Sequence, residues 1–254
     1  MSLLVIILLA SLAESLVSFS GGVLAFLNAQ TIRRFSHFVV SFAIGALLSV
    51  SLLELIPEAA EGSSLEFIMP FVLAGMIFFF IVERFLSWYH HHHHEESENE
   101  DAVKSYAYLI LWGDFLHNFI DGVIIALTFM VDIRLGLVTT LAVILHELPQ
   151  EIGDFGVLLH AGFSKLQALI YNFLASLSTI LGAIIALSLR NTLPDEFIPI
   201  ALAVIAGNFI YLAASDLMPE LKEQAGAAHT LGQVALIILG AILVILPEYF
   251  LGGH

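Results

Sequence analysis

Long apolar stretches alternate along the chain with short polar joints. A helix needs about 20 apolar residues to cross the hydrocarbon core of a bilayer, and eight segments approach that length. They are Leu3–Leu27, Phe38–Pro57, Phe67–Trp88, Ala107–Met130, Leu135–Leu159, Leu166–Leu189, Phe197–Leu217 and Leu231–Phe250. The pattern predicts an all-α integral membrane protein with eight transmembrane helices. Residues 1–254 are expected to form a single transmembrane domain.

The second and seventh spans share a run of acidic and proline residues. Glu54-Leu55-Ile56-Pro57-Glu58 is matched 162 residues later by Asp216-Leu217-Met218-Pro219-Glu220, and Gly75 of the third span is matched by Gly240 of the eighth, 165 residues later. Spans two and seven are five apart, so they cross the membrane in opposite senses. We therefore predict an inverted repeat of spans 1–3 and 6–8 around the central pair 4–5, an architecture found in secondary transporters.

The basic residues indicate an orientation. Six of the eight, including Arg33, Arg34 and Lys165, fall in odd-numbered loops, and only Arg134 and Arg190 fall in even-numbered ones. Because cytoplasmic loops carry an excess of Lys and Arg, the odd loops are expected in the cytoplasm. This predicts a multi-pass protein of the cell membrane with both termini extracytoplasmic.

Composition narrows the class further. Hydrophobic residues make up 59% of the chain and the mean hydropathy is +0.96. The formal charge of −15 argues against nucleic acid as a partner. The absence of cysteine excludes disulfides and thiolate metal sites, and with only five Met a pathway for Cu(I) is not expected.

Two polar motifs interrupt the central spans. The fourth contains His117-Asn118-Phe119-Ile120-Asp121-Gly122, and the fifth contains His146-Glu147-Leu148-Pro149-Gln150-Glu151-Ile152-Gly153-Asp154. Side chains four residues apart share one helix face, which pairs His117 with Asp121 and His146 with Gln150. Imidazole, carboxylate and carboxamide groups that converge from two facing helices predict a divalent-metal site.

The cost of burying these groups favours a bound cation over a merely structural network. One ionisable side chain near the bilayer centre costs about 2.5–3.5 kcal/mol, so seven cost roughly 18–25 kcal/mol without compensation. The seven are Asp114, His117, Asp121, His146, Glu147, Glu151 and Asp154. Pro149 leaves the Leu145 carbonyl without its helical donor, which a cavity or an ion can satisfy.

Together, the two motifs resemble the signatures of the fourth and fifth spans of the ZIP (Zrt-/Irt-like) metal transporters. The resemblance extends to the eight spans, a His-rich third loop and the Pro-Glu endings of spans two and seven. It implies transport of Zn²⁺ and similar divalent ions into the cytoplasm, through a binuclear intramembrane site and without enzymatic activity.

The resemblance also implies particular ligands. One metal centre would comprise His117, Asp121, His146 and Gln150; a second would comprise Asn118 and Glu147 and share Asp121. Glu151 would belong to the site or its exit path. Pathway or supporting roles fall to Asp114, Asp154 and His160.

Gln150 departs from the branch of the ZIP family that the two motifs resemble most. In that branch a second histidine usually occupies this position. An amide oxygen binds Zn²⁺ less well than imidazole does and suits harder ions relatively better. The resemblance makes Zn²⁺ the first expected substrate, and because of Gln150 transport of Fe²⁺, Mn²⁺ or Cd²⁺ stays open.

A histidine run lies in the third predicted loop, at about residues 89–104. It comprises His90, His91, His92, His93 and His94, and acidic residues follow it. The loop is expected to be disordered and cytoplasmic, and it is either a metal sensor or acceptor near the exit or a solvated tether. His160 could pass ions toward it.

Two rival functions use the same residues. His146-Glu147-Leu148-Pro149-Gln150 approaches the H-E-x-x-H pattern of metallohydrolases, so an intramembrane metallohydrolase is the main alternative; a metal sensor or receptor ranks last. No G-x-x-x-x-G-K-[ST] run is present, so an ion gradient is expected to drive transport. The expected partners are divalent metal ions and the lipid bilayer. A homodimer stays open, and no sequence feature selects an oligomeric state.

Overall fold

The computed structural model describes residues 2–24, 29–61, 63–94, 100–194, 196–221 and 227–251, and within these ranges every regular element is helical. The α-helices are α1 Leu3–Ser15, α2 Phe19–Leu24, α3 Ala29–Ser49, α4 Ile56–Ala60, α5 Leu65–His94, α6 Glu100–Val131, α7 Ile133–His160, α8 Lys165–Ser176, α9 Ser178–Leu189, α10 Phe197–Tyr211, α11 Met218–Leu221 and α12 Ala227–Leu251. A 3₁₀ turn, Leu16–Ser18, joins α1 to α2, and π-helical segments cover Val50–Leu55 and Leu212–Leu217.

Helices α6 and α7 form a hairpin around a single connecting residue, Asp132. Its side chain accepts hydrogen bonds from the backbone N–H groups of Arg134 (2.6 Å) and Leu135 (3.1 Å). This N-cap satisfies donors that the first turn of α7 would otherwise leave unpaired. The tight joint sets α6 and α7 side by side, which brings the two polar motifs together.

Close helix crossings occur at matching positions of the predicted repeat. A Cβ atom on Gly45 would overlap the carbonyl oxygen of Ile237, and one on Gly207 would overlap that of Val72. The reverse contacts set Gly240 against Phe42 and Gly75 against Val204. The offsets of 162 and 165 residues therefore relate the α3–α12 crossing to the α10–α5 crossing. Only glycine permits such a close backbone approach.

Two further irregularities recur at nearly the same spacing, 162 residues for the first and 161 for the second. The π-helical segments Val50–Leu55 and Leu212–Leu217 are 162 residues apart. The 3₁₀ turn that begins at Leu16 corresponds to the break at Leu177 between α8 and α9. π-helical turns widen a helix locally and often occur at functional sites. Their recurrence at matching positions makes both segments candidates for a functional role.

The helices identify a multi-pass integral membrane protein and confirm the predicted all-α class. In the described part of the chain, five helical segments are long and apolar enough to cross a membrane: His37–Ala60, Leu65–Val82, Ile110–Val131, Lys165–Leu189 and Phe197–Leu217. Shorter apolar helices cover Leu3–Ser18 and Thr230–Leu246. The outer faces of the spans expose large apolar side chains, such as Leu73 and Phe78 of Leu65–Val82. Such faces suit contact with lipid.

The predicted loop at residues 89–104 is shorter in the structure. Helix α5 continues through His94 and α6 begins at Glu100. Thus the backbone of His90–His94 is helical rather than disordered as expected. Their side chains and residues 95–99 lie outside the described residues.

Candidate metal centre

One group of polar side chains, here named the histidine group, lies between α6 and α7. It consists of His117, Asp121, His146 and Glu147, whose ligand atoms all lie within 4.8 Å of one another. The two histidine Nε2 atoms are 3.3 Å apart. Asp121 Oδ2 lies 3.6 Å from Nε2 of His117 and 3.4 Å from Nε2 of His146. Four ligand atoms thus converge on one point, as a tetrahedral zinc site requires.

The backbone fixes the tautomer of His146. Its Nδ1 lies 3.2 Å from the Ala142 carbonyl oxygen, one helical turn earlier. A carbonyl oxygen can only accept, so Nδ1 carries the proton and donates it. With the proton on Nδ1, Nε2 is the ring nitrogen left to bind a cation in the histidine group. This is the usual way in which a metal-binding imidazole is oriented.

Buried oxygens in the group lack hydrogen-bond donors. Asp121 Oδ2 and both carboxylate oxygens of Glu147 accept no hydrogen bond of normal geometry, although Nε2 of His117 is 3.0 Å from Glu147 Oε1. Asp121 and Glu147 are almost fully buried. Buried carboxylates without donors are costly unless a cation neutralises them. The donor set therefore fits a divalent cation.

A second group, here named the acidic group, adjoins the first. Asp114, Glu147 and Glu151 are all buried, and their carboxylate oxygens lie within 4.8 Å of one another. Glu147 belongs to both groups. Sequence reasoning expected Asp121 to be the shared residue and gave Asp114 only a pathway role, whereas the geometry makes Glu147 common and places Asp114 in the acidic group.

Asn118 is held at the edge of the acidic group. Its Nδ2 donates to Asp114 Oδ1 at 2.7 Å, and its side-chain oxygen accepts from the Thr179 hydroxyl at 3.2 Å. Asn118 is fully buried. The amide nitrogen is thus committed to Asp114, which leaves the oxygen as the atom that could bind a cation.

Gln150 lines a cavity that also contains His117 of the histidine group. The cavity has a volume of about 190 Å³ and is lined by Phe79, Val82, Gly113, Leu116, His117, Ile120, Gln150, Leu212 and Asp216. It lies against the π-helical segment Leu212–Leu217 and reaches the histidine group at His117. A hydrated ion could therefore meet Gln150, His117 and Asp216 within one space.

The remaining predicted residues lie along α7. Glu151 Oε2 accepts a hydrogen bond of 3.0 Å from Nδ2 of Asn172, and Asp154, one turn further along, is partly buried. His160 is exposed and ends the helix. It joins no cluster of metal-ligating side chains among the residues that the structure describes.

The sequence analysis missed several residues near the site. Glu14 in α1 is buried and interacts electrostatically with Glu147, Asp121 and Asp114. Asn172 in α8 donates a hydrogen bond from Nδ2 to the Glu151 carboxylate in α7. A lone acid within an otherwise apolar first span was the available signal for Glu14.

The repeat-related acids Glu54 and Asp216 have different surroundings. Both Glu54 carboxylate oxygens are bound by the Arg134 guanidinium, at 2.9 Å and 2.8 Å. Asp216 instead lines the cavity that reaches His117. The bidentate pair links α7 to the π-helical segment Val50–Leu55.

Together, the fold and the two buried groups define a polytopic helical membrane protein with candidate cation ligands inside the bilayer. A family model described as "ZIP Zinc transporter" matches residues 2–106 and 91–247. The chain belongs to the ZIP zinc transporter family, as its motifs predicted. This family consists of transporters rather than enzymes, which confirms that expectation too.

Individual proteins that resemble the chain are also named as zinc transporters. The zinc transporter ZIP13 of Pongo abelii is 31% identical over 226 residues, covering 84% of this chain and 66% of the relative. ZIP13 of Mus musculus is 30% identical over 251 residues, covering 84% and 70%. The zinc transporter foi of Drosophila melanogaster is 40% identical over 143 residues, covering 56% and 19%. The chain therefore spans about two thirds of the length of these ZIP13 relatives.

Proposed function

We propose that the protein transports divalent metal ions, zinc first, through a two-cation centre between α6 and α7. The observation that carries this proposal is the histidine group: two imidazoles and two carboxylates, with donor-free buried oxygens, inside a membrane protein. The names of the ZIP13 and foi relatives support zinc as the substrate.

The histidine group would hold one ion and the acidic group a second, with Glu147 bridging them. The separation of ligand types suits this division, because imidazole favours Zn²⁺ whereas an all-oxygen group also accepts harder ions. An ion that arrives through the cavity would meet Gln150 and His117 first. Glu151 and Asp154 would then guide it along α7 toward His160.

We infer eight membrane spans, arranged as an inverted repeat around the α6–α7 hairpin. The matching glycine crossings and π-helical segments support the repeat. Helix α7 is not among the five apolar candidate spans, because its polar groups lower its mean hydropathy. Its neighbours α6 and α8–α9 both contain such spans. In this architecture, rocking between the halves gives alternating access.

We also infer cell-membrane placement, both termini outside and metal movement into the cytoplasm. The cysteine-free chain allows a direct test with single cysteines at exposed positions. Glu61→Cys, in the second loop, should react with a membrane-impermeant maleimide on intact cells. Lys165→Cys, beside the fifth loop, should react only after the membrane is permeabilised. The opposite labelling pattern reverses the inferred topology.

Asp121→Ala tests the proposed function. Asp121 approaches both histidines of the histidine group, so its loss removes a charged ligand from the first centre. We expect uptake to fall by at least about 100-fold, equivalent to about 2.7 kcal/mol, while membrane insertion persists because a buried charge has been removed. Radiolabelled zinc uptake, normalised to protein in the membrane, measures this. Glu66→Ala, at an exposed acid on α5, is the control. Wild-type uptake by Asp121→Ala contradicts the proposal.

Gln150→His tests the source of metal preference. If Gln150 binds the transported ion, a second imidazole should tighten zinc binding by about tenfold, or about 1.4 kcal/mol. Discrimination against Mn²⁺ should increase, and the maximal transport rate need not rise because a tightly held ion leaves slowly. Competition between Zn²⁺ and Mn²⁺ on both proteins measures the ratio. An unchanged ratio places Gln150 outside the metal ligands.

The metallohydrolase alternative has less support. Gln150, the residue in the place of the second zinc histidine, faces the cavity with His117, and the comparisons match transporters. Iron, manganese and cadmium stay open as further substrates, and of these the all-oxygen acidic group suits Mn²⁺ best. Purified protein that hydrolyses peptide or lipid in a metal-dependent manner, without metal flux, would reverse this ranking.

A further inference from the structure

Two buried asparagines bind acids of the acidic group in the same way. Nδ2 of Asn118 donates to two atoms of Asp114, the carboxylate Oδ1 at 2.7 Å and the backbone carbonyl oxygen at 3.1 Å. Nδ2 of Asn172 donates likewise to Glu151, to the carboxylate Oε2 at 3.0 Å and to the backbone carbonyl oxygen at 3.3 Å. An amide nitrogen carries two protons, so each nitrogen can supply both bonds. We name this arrangement an amide clip.

The contacts with Glu151 fix the orientation of the Asn172 amide. Both contacted atoms are oxygens that accept hydrogen bonds, so the amide nitrogen has to face them. Asn172 is fully buried, and its Oδ1 accepts no hydrogen bond from the residues that the structure describes. Leaving a buried oxygen without a donor is costly. A residue that only linked α7 to α8 could use both ends of its amide, so the one-sided arrangement indicates a role at Glu151.

The clips determine which carboxylate oxygens remain for a cation. Asp114 Oδ1 and Glu151 Oε2 each accept from an amide N–H. Asp114 Oδ2, in contrast, is buried and accepts no hydrogen bond within the described part of the chain. The corresponding atom of Glu151 is Oε1. Each clipped acid therefore offers a cation one oxygen that no asparagine amide holds, and the clip fixes the carboxylate against its own backbone.

Binding through one carboxylate oxygen or through two suits different cations. Zn²⁺ is usually four-coordinate, with carboxylate oxygens at about 2.0–2.2 Å. Ca²⁺ takes about six to eight oxygens at about 2.3–2.6 Å, and carboxylates that bind through both oxygens help to supply them. A cation that bound both oxygens of Glu151 would approach Oε2 beside the Asn172 N–H, which is the positive end of the amide dipole. The clip therefore disfavours the ion that needs more oxygens.

We propose that Asn172 is a specificity-determining residue of the acidic group. By holding Glu151 Oε2, it restricts Glu151 to binding a cation through one oxygen, which favours Zn²⁺ over Ca²⁺. Asn172 acts through Glu151 and does not itself touch the ion, so it is a positioning residue. Asn118 would restrict Asp114 in the same way, but Asn118 is also an expected ligand, so the effect is easier to isolate at Asn172. This inference rests on the proposed two-cation function.

The test is competition between Ca²⁺ and Zn²⁺ for the purified full chain, measured by isothermal titration. Wild-type protein should bind two zinc ions, and Ca²⁺ should compete only for the acidic group because imidazole ligands suit Zn²⁺. Asn172→Leu removes the amide, so the ratio of Ca²⁺ to Zn²⁺ affinity at the acidic group should rise by at least about tenfold. The other zinc ion should keep its affinity within about threefold. Asn191→Leu, at an exposed asparagine that follows α9, should change neither.

A second background shows whether Asn172 acts through Glu151. Glu151→Gln keeps the shape of the side chain but leaves a single oxygen, which cannot bind in the two-oxygen mode. Asn172→Leu added to Glu151→Gln should therefore change the ratio by less than about threefold. An equal rise in both backgrounds overturns the proposal. An unchanged ratio in Asn172→Leu overturns it as well, even if both ions bind more weakly, because a residue that only links α7 to α8 would give that result.

A variant that fails to fold does not end the test. If Asn172→Leu does not fold, Asn172→Ala, which also lacks the amide, is measured against the same criteria. Wild-type protein that binds fewer than two zinc ions contradicts the two-cation function, and the role of Asn172 fails with it. Two zinc ions in wild type, with a ratio of Ca²⁺ to Zn²⁺ affinity that is insensitive to Asn172, leave the function intact and remove only this inference.

Discussion

Glu147→Gln should abolish metal transport, with uptake at or below about 1% of the wild-type rate. Glu147 is the carboxylate common to the histidine group and the acidic group, and neither of its oxygens accepts a hydrogen bond. The substitution preserves shape but removes the charge that both proposed ions require. A loss of about 2.7 kcal/mol or more at the centre corresponds to this 100-fold effect. Radiolabelled zinc uptake measures it.

Thermal unfolding with and without zinc provides the control for Glu147→Gln. The apo variant should be as stable as wild type or more so, because one negative charge leaves a crowded acidic group. Zinc at 100 times its dissociation constant should stabilise wild type by about 2.7 kcal/mol per site, and the variant much less. Equal zinc stabilisation in both proteins contradicts the bridging role.

Arg134→Met should destabilise the fold by about 2–3 kcal/mol, the range of a charge-assisted hydrogen bond in a buried setting. The Arg134 guanidinium binds both oxygens of Glu54, whose side chain is 4% exposed. Removing the guanidinium takes both of these hydrogen bonds from a carboxylate that stays buried. Denaturant titration in detergent micelles measures the change in the free energy of unfolding.

Two further variants identify the cause of this loss. Glu54→Gln added to Arg134→Met should recover much of the stability, because a neutral amide is cheaper to bury than a carboxylate. Arg190→Met, at an exposed arginine that follows α9, should change stability by less than about 0.5 kcal/mol. No recovery in the double variant would mean that packing of the arginine stem, rather than the ion pair, provides the stability.

The fold and the centre of the site follow directly from sequence pattern. Apolar segment length predicts membrane helices, and four-residue spacing places His117 beside Asp121 on one helix face. Since α6 and α7 are joined by one residue, the two motifs have to meet. These local rules explain why His117, Asp121 and His146 could be predicted to lie together, whereas Gln150 rather than Glu147 was expected as the fourth member of their group.

Residues from distant helices could not be assigned in this way. Thr179 reaches Asn118 because α9 packs against α6, and Glu14 lies near the acids of the site because α1 packs against α6 and α7. Helix packing of this kind depends on the shape of whole surfaces. Likewise, Glu147 rather than Asp121 is common to the histidine group and the acidic group. Which carboxylate reaches both groups depends on how the side chains extend across the α6–α7 interface. The helical backbone of His90–His94 was missed because low-complexity composition alone suggested a loop.

Zinc flux into liposomes that contain only the purified chain tests the central claim most directly. A fluorescent zinc indicator inside the vesicles reports entry after zinc is added outside. The account predicts saturable zinc entry well above that of protein-free vesicles, and its absence in vesicles containing Asp121→Ala. Zinc entry that is equal in wild-type, Asp121→Ala and protein-free vesicles contradicts the proposal that the centre between α6 and α7 carries metal across the membrane.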